Sequence, residues 1–262
     1  MKSNMHIFER LSLLTLLMTL TSGSAFAEAG QDDEWSFFVA GYLTATYIDA
    51  TTTAGTPIGD QDLEIDASFS DLLDNLDYGA SGLFVASYDK LSINVDLLAI
   101  GLDIDQPTPI GTGNVNIQVD IREYELYAGY QAFAQYPALE LITGLRYIDQ
   151  EIEVNVTTAG PAPQIVTGDS WIDPFIGLRY ISPLSNNWGW MLRGDIGGFG
   201  VGSDFSWRVD VGARYAFAKQ WEAAIGYKLL DIDYETGTSG SLSRYAWDGT
   251  EAGITLGVGY HF

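Results

Sequence analysis

Residues 249–262 of this chain alternate strictly. Ala252, Ile254, Leu256, Val258, Tyr260 and Phe262 fall on one phase, and Gly253, Thr255, Gly257, Gly259 and His261 on the other. A β-strand places successive side chains on opposite faces, so this period of two constrains the backbone before anything else does. The pattern returns at Trp221, Ala223, Ile225, Tyr227 and Leu229, and at Phe205, Trp207, Val209, Val211, Ala213, Tyr215 and Phe217. A soluble sandwich would bury its apolar phase and show a polar phase to water. Here the apolar phase ends in aromatics, while the other phase collects glycine and charges of both signs. That arrangement suits lipid outside and a polar lumen inside, with strands of about ten residues spanning the bilayer at a tilt.

The alternation predicts ten strands, near 35–49, 78–88, 91–104, 115–132, 139–154, 167–182, 188–200, 204–217, 221–235 and 249–262. The joins alternate as well. Asp89-Lys90, Phe133 to Ala138, Pro183 to Asn187 and Ala218 to Gln220 are short, whereas 50–77, 105–114, 155–166 and 236–248 are long and polar. Short periplasmic turns opposite longer external loops, with both termini in the periplasm, is the pattern of an outer-membrane barrel. The join at Val201 to Ser203 is an exception, being external and very short. The expected fold is therefore all-β, an antiparallel transmembrane β-barrel of about ten strands. Eight or twelve would follow if 35–49 and 78–88 were misread or if Leu63 to Asp66 paired as a further strand. In the first long loop, Ser70 is placed to cap a short helix with Leu72, Leu73 and Leu76 on one side, either a plug in the mouth or a turn on the rim.

The first residues read as an address. Lys2 and Arg10 precede and flank the apolar run Leu11 to Leu20, and Ala25-Phe26-Ala27 supplies a small-x-small cleavage pattern, so 1–27 is expected to be a cleaved signal peptide and 28–262 the barrel. A membrane anchor would need about 20 apolar residues. Cleavage leaves ten basic and 34 acidic residues, a net charge of −24, which gives no footprint for nucleic acid. The absence of Cys excludes a disulfide scaffold, a thiolate metal site, a Cys nucleophile and a lipoprotein anchor.

Three stretches carry a resemblance: Ser170-Trp171-Ile172-Asp173-Pro174-Phe175-Ile176-Gly177-Leu178-Arg179-Tyr180, then residues 192–207 with Gly197-Gly198-Phe199-Gly200-Val201-Gly202-Ser203-Asp204, then Gly226-Tyr227-Lys228-Leu229-Leu230-Asp231-Ile232-Asp233-Tyr234. In these the chain resembles a widespread, largely uncharacterised family of small bacterial outer-membrane β-barrel proteins, OmpA/OmpW-like and porin-like. The likeness runs over most of the mature chain and is most specific at 171–234. It implies the fold and an outer-membrane location in a Gram-negative bacterium, and supplies no catalytic residues. Tyr260 and Phe262 are similar to the C-terminal signal that the barrel-assembly machinery reads.

Fixing the alternation places the charges. Arg146, Arg179, Arg193, Arg208, Arg214 and Lys228 fall on the lumen phase, as do Asp96, Glu123, Glu125, Asp173, Asp195, Asp210 and Glu222. A charge facing mid-bilayer lipid costs about 2–4 kcal/mol, so inward charges must partner one another. If the 188–217 hairpin turns at Val201-Gly202, Asp195 faces Arg208 and Arg193 faces Asp210, giving two crossed ion pairs. Such a network either braces a closed barrel or lines a sign-selective pore, and small barrels are usually filled by their own side chains. The surplus acid lies in Asp60, Asp62, Glu64, Asp66, Asp71, Asp74 and Asp77 and at outer strand ends such as Asp103, Asp149, Glu151 and Asp233. This is a solvated rim, or one bridged by divalent cations to lipopolysaccharide.

Several motifs fail on inspection. Arg193-Gly194-Asp195 spells an adhesion tripeptide, but it sits mid-strand. The glycine run at 197–202 lacks the Lys and helix of a phosphate loop. Outer-membrane hydrolases built on small barrels use a His with Asp or Ser, and the mature chain offers only His261, at the periplasmic end. The sequence thus points to a non-enzymatic integral outer-membrane protein, structural or a narrow porin-like channel. The alternative is a surface protein that binds lipopolysaccharide, cations or a host or phage partner through acidic loops. No cofactor, catalytic residue or specific metal site is expected. The lipid and lipopolysaccharide of the outer membrane and the barrel-assembly machinery are the expected partners, and nucleic acid is not.

Overall fold

A computed structural model describes residues 34–57, 59–107, 113–157 and 164–262. The signal peptide expected at 1–27 lies outside them. Eleven strands follow in order: β1 Ser36–Thr56, β2 Gly59–Ala67, β3 Leu76–Tyr88, β4 Leu91–Pro107, β5 Asn114–Tyr130, β6 Leu139–Thr157, β7 Gln164–Ile181, β8 Trp188–Gly197, β9 Phe205–Ala216, β10 Trp221–Thr236 and β11 Tyr245–His261. Among the described residues one helix, α1, spans Phe69–Asp74 between β2 and β3.

From β3 to β11 each strand pairs antiparallel with the next, and β1 closes the ring by pairing with both β11 and β3. The ring therefore has ten strands. The eleventh, β2, folds back on the outer half of β1, with Ile48↔Ala67 through Thr56↔Gly59 in register. Closure leaves the ring few free edges, of which Tyr42 to Tyr47 of β1 is one, and so satisfies most of the backbone groups that hydrocarbon could not.

The wall carries two polarity patterns, stacked one above the other. On the lower part of β10, Ile225 and Tyr227 face out while Lys228 faces in; higher up, Asp233 and Glu235 face out while Leu230, Ile232 and Tyr234 are buried inside. β6 repeats this change, with Leu141 and Leu145 outside Arg146 below, and Glu151 outside Ile148 and Ile152 above. The lower section is thus apolar outside, showing Leu126, Leu178, Leu192, Ile196, Val209, Ile254 and Leu256 around the ring. The upper section is inverted like a soluble barrel, with carboxylates outside and a core of Ile48, Ile121, Ile148, Trp171, Leu230, Tyr234, Tyr245 and Trp247 inside. At its centre Trp171 stacks on Tyr234 at 3.9 Å between ring centroids.

This inversion corrects the reading of the long loops. β1 runs to Thr56, β4, β6 and β7 reach further out, to Pro107, Thr157 and Gln164, and β11 already begins at Tyr245, so much of 50–77 and parts of 105–114, 155–166 and 236–248 are strand. The alternation persists in Ile152, Val154 and Val156, opposite Val119, Ile117 and Val115, but with polar residues now on the outer phase. Residues 108–112 and 158–163 of two of those loops lie outside the described residues.

The helix also differs from expectation. Ser68, not Ser70, is the N-cap, and forms a capping box with Asp71. Leu72 alone turns toward the upper core, while Leu73 and Leu76 are 55% and 40% exposed. Leu72 and Leu73 are consecutive and so about 100° apart around the helix, and α1 ends at Asp74, which leaves Leu76 in β3.

The β1–β2 hairpin is latched across the top of β11. Asp60 accepts hydrogen bonds from Ser239 Oγ at 2.7 Å and Gly240 N at 2.9 Å, and Gly55 N donates to Arg244 O. The Ser239 bond first, then the Gly240 amide, hold the Asp60 carboxyl below the usual range. A lowered folded-state value means that the latch is complete above the ordinary Asp value of about 3.9 and is lost as pH falls through the folded value. The protection factor of the Gly240 amide should therefore hold steady between about pH 7 and 5, drop in stronger acid, and be low throughout in Asp60→Ala, as read by hydrogen exchange.

Candidate functional site

The lower lumen is a packed ionic core. Glu125 on β5 stands at its centre and takes hydrogen bonds or ion pairs from three arginines: Arg146 Nε at 2.6 Å, Arg193 Nη1 at 2.8 Å and Arg208 Nη1 at 3.0 Å. Asp195 joins the set, bonding Arg146 Nη2 and Arg193 Nε, each at 2.8 Å. Asp210 holds Arg208 Nε at 3.0 Å, and Asp96 approaches Arg208 at 3.6 Å while accepting from the Tyr42 hydroxyl. Arg146, Glu125 and Asp195 are fully or almost fully buried. The guanidinium fork matches a carboxylate with two parallel donors, which is why arginine rather than lysine occupies the middle. Phe175 and Tyr127 complete the packing: Arg146 lies 5.2 Å from the Phe175 centroid, and Arg193 lies 4.8 Å from that of Tyr127.

The register of the β8–β9 hairpin is the one read from the sequence, with Arg193↔Asp210 and Asp195↔Arg208 directly paired. The ion pairing is different. Arg193 reaches Asp195 two residues along its own strand, Arg208 does the same to Asp210, and both then cross the lumen to Glu125. A long arginine side chain spans the step to the residue two along on its own face, and Glu125 supplies a shared anion that hairpin reasoning alone could not see.

The other predicted residues form separate groups. Arg179 bonds Glu140, Asn94, Ser92 and the Tyr127 hydroxyl nearer the lower end. Arg214 binds Glu222 at 3.1 Å and the Ser182 carbonyl, and His261 Nε2 meets Glu222 at 3.3 Å. Glu123 binds Lys228 Nζ at 2.6 Å. Asp173 faces inward but serves the outer turn, accepting from Ser203 N at 2.7 Å and Ser203 Oγ at 2.6 Å. That bond pins the tight turn after β8, where Gly198, Phe199 and Gly200 all have positive φ. A Cβ on Gly202 would stand 2.4 Å from the Ile172 carbonyl, so the glycine run is what lets the turn fold down onto the barrel. Tyr260 and Phe262 lie at the end of the closing strand, where Phe262 N donates to Phe37 O at 2.9 Å.

Three contributors were missed from sequence. Glu251 is on the same phase as Gly253 and Thr255 and could have been found by extending that phase one step down the chain. Glu140 has the parity of Arg146 on β6. The aromatic layer of Trp171, Tyr234, Tyr245 and Trp247 sits on the charged phase of its strands, so its inward placement is visible only as the polarity change described above.

Outside, the upper wall is acidic. Asp233 is paired in register with Asp248, and Asp49 with Asp66. Burial against the wall, then the neighbouring Asp248, Asp204 and Glu235, push the Asp233 carboxyl above its ordinary value.

No protein-family model matches the chain, and no curated protein does. Among solved structures, the chain is similar to the outer membrane protease OmpT from Escherichia coli, with a TM-score of 0.56 at 11% identity over 88% of this chain and 97% of that one. The translocator domain of the autotransporter NalP from Neisseria meningitidis gives a TM-score of 0.34 at 13% identity, over 87% and 88% of the two chains. The Ail attachment invasion protein of Yersinia pestis gives 0.34 at 9% identity, over 87% and 98%. The first likeness is one of fold, and it makes the chain an antiparallel barrel of the outer-membrane type.

Arg146 touches two carboxylates in a site closed to water, and removing one partner of such a cluster costs about 3–5 kcal/mol, because the others stay buried and unpaired. Arg146→Ala should therefore lower the denaturant midpoint of the folded barrel sharply, followed by heat-modified gel mobility. Reversing Arg193 and Asp210 together should restore nothing that either single reversal loses, since each makes its ion pairs elsewhere.

Proposed function

We propose that the protein is an integral outer-membrane barrel of a Gram-negative bacterium, non-enzymatic and structural, whose lumen is closed. The observation that carries this reading is the double seal: an ionic core centred on Glu125, topped by the stacked layer of Trp171, Tyr234, Tyr245 and Trp247. Ions crossing such an interior would have to displace both layers, and the cavity beneath α1 measures about 20 Å3, room for about one water. The apolar lower wall matches the hydrocarbon of a bilayer, and the acidic upper wall matches water beyond it. The fold shared with OmpT supports the location. Its activity does not transfer, because His261 lies at the opposite end of the barrel from the acidic upper wall. Export by a cleaved leader at 1–27, and reading of Tyr260 and Phe262 by the barrel-assembly machinery, belong to the same proposal.

A second reading rests on the upper wall. Carboxylates such as Asp49, Asp66, Asp233 and Asp248 stand on neighbouring strands just above the apolar band, where lipopolysaccharide phosphates would lie. Divalent cations would bridge the two sets of anions.

The mature protein in a planar bilayer should give no discrete conductance steps, and Arg193→Ala/Arg208→Ala should stay silent because the aromatic layer remains. Steps from the unaltered protein would overturn the closed-lumen reading.

A further inference from the structure

β2 has a single neighbour. It pairs with β1 from Ile48↔Ala67 to Thr56↔Gly59, and among the described residues no strand pairs with its other edge. β4 is left open in the same way at its upper end. β3 covers it only as far as Leu76↔Leu102, so Asp103 to Pro107 pair with β5 alone. The two open edges border one place. In the lower wall β3 runs between β1 and β4, and in the upper wall β2 has taken its position beside β1 without joining β4. The carbonyl of Asn75, at the end of α1, accepts from Asp103 N at 2.9 Å and marks the base of the opening.

Parity gives this opening its chemistry. The outer phase of β2 is Asp60, Asp62, Glu64 and Asp66, one carboxylate at every second residue, and the inner phase carries Leu63 and Ile65. Across the opening β4 repeats the pattern, with Asp103 and Asp105 exposed and Leu102 buried. Asp60 is engaged by the latch to Ser239 and Gly240. The neighbours of the others are neutral, with Thr53 donating to Asp62 and Asn116 to Asp103 and Asp105, and none of the five forms an ion pair with a described residue. Leu63 shares the parity of Ile65, which packs against the upper core, yet is 51% exposed. An inward apolar side chain left half in water lacks cover on the side where β2 has no neighbour.

We propose that the free edge of β2 is a docking strand for an extended peptide of another protein, one that alternates lysine or arginine with apolar residues and lies antiparallel to β2 above α1. Main-chain bonds to an open edge supply affinity, and the alternating side chains supply selection. The cations of the peptide stand beside Asp62, Glu64 and Asp66, at the cross-strand Cβ spacing of about 4.5–5.5 Å, and its apolar side chains cover Leu63. A second copy of this chain is disfavoured as the occupant, because its own β2 would set one row of carboxylates against another. A free divalent cation would meet the carboxylates but would leave the main-chain edge and Leu63 as they are. The docking strand goes beyond the closed-lumen reading, and needs only that the upper wall stands in water.

The test uses the mature protein in zwitterionic detergent micelles with fluorescent peptides nine residues long, the length of β2. The parent peptide alternates Lys and Val. Two derivatives carry N-methyl groups on all its Lys amides or on all its Val amides, and a fourth peptide alternates Glu and Val. Anisotropy reads binding, and hydrogen exchange reads its place. The parent should bind and slow exchange between Gln61 and Ala67. At least one methylated derivative should bind about tenfold more weakly or worse, since it keeps every charge but loses the main-chain bonds along one edge. The Glu-Val peptide should not bind, and Glu64→Gln/Asp66→Asn should weaken the parent severalfold at low salt and little at high salt. No binding by the parent overturns the docking strand. Equal binding by the parent and both methylated peptides reduces it to charge attraction and overturns strand addition. Slowed exchange confined to other strands overturns the site, and each of these failures leaves the closed lumen standing.

Discussion

Hydrocarbon does not tolerate charge, and that one constraint organises the lower half of this molecule. Strands that must show Leu, Ile and Val to lipid have only one other face on which to carry Arg146, Arg193, Arg208 and Lys228, and a ten-stranded ring is too narrow to leave them in water. They must therefore be neutralised in a confined space. Glu125 does this for three arginines at once, with Asp195 pairing Arg146 and Arg193 and Asp210 pairing Arg208. Removing charge from the set in matched amounts would be tolerable; removing it from one side would not.

Once the chain rises out of the apolar band the constraint reverses. Water now wets the outside, so carboxylates move to the outer phase and the hydrophobic side chains move in. The strands do not change period to accomplish this. They keep alternating, and the two phases exchange content between Lys228 and Leu230 on β10 and between Arg146 and Ile148 on β6. The result is a soluble-type core stacked on a membrane-type core within one continuous sheet.

This explains what could be read from the sequence and what could not. The ten strands of the ring, their pairing order and the β8–β9 register follow from alternation and turn residues, which are local, whereas β2 lies in a stretch that reads as loop. The inward placement of the arginines follows from parity alone. Choosing partners among inward groups requires knowing which strands face each other across the lumen, and nothing local in the sequence around Glu125 says that Arg146, Arg193 and Arg208 converge there. Only the outermost stretches, such as the end of β1 at Thr56 and the start of β11 at Tyr245, read as loop in the sequence, because polar residues on the outer phase there resemble those of a loop. Asp173 has the parity of the ion network, but its partner, Ser203, arrives only because the glycine turn folds down over it.

The ring is also unevenly joined. β1 shares 17 register pairs with β11, from Phe38↔His261 to Ala54↔Tyr245 at the far end of the chain, but only six with its near neighbour β3. Closing the chain's two ends therefore makes one of the broad joins, and the narrow one lies within the N-terminal third. In folding, β1 gains most of its partners only after β11 exists, so the first strand made is among the last to be fully paired. The β1–β2 hairpin covers the opposite edge of its outer half and stays there in the finished ring, so until β11 arrives only one edge of that half is open to the edge-to-edge association that an unpaired strand invites.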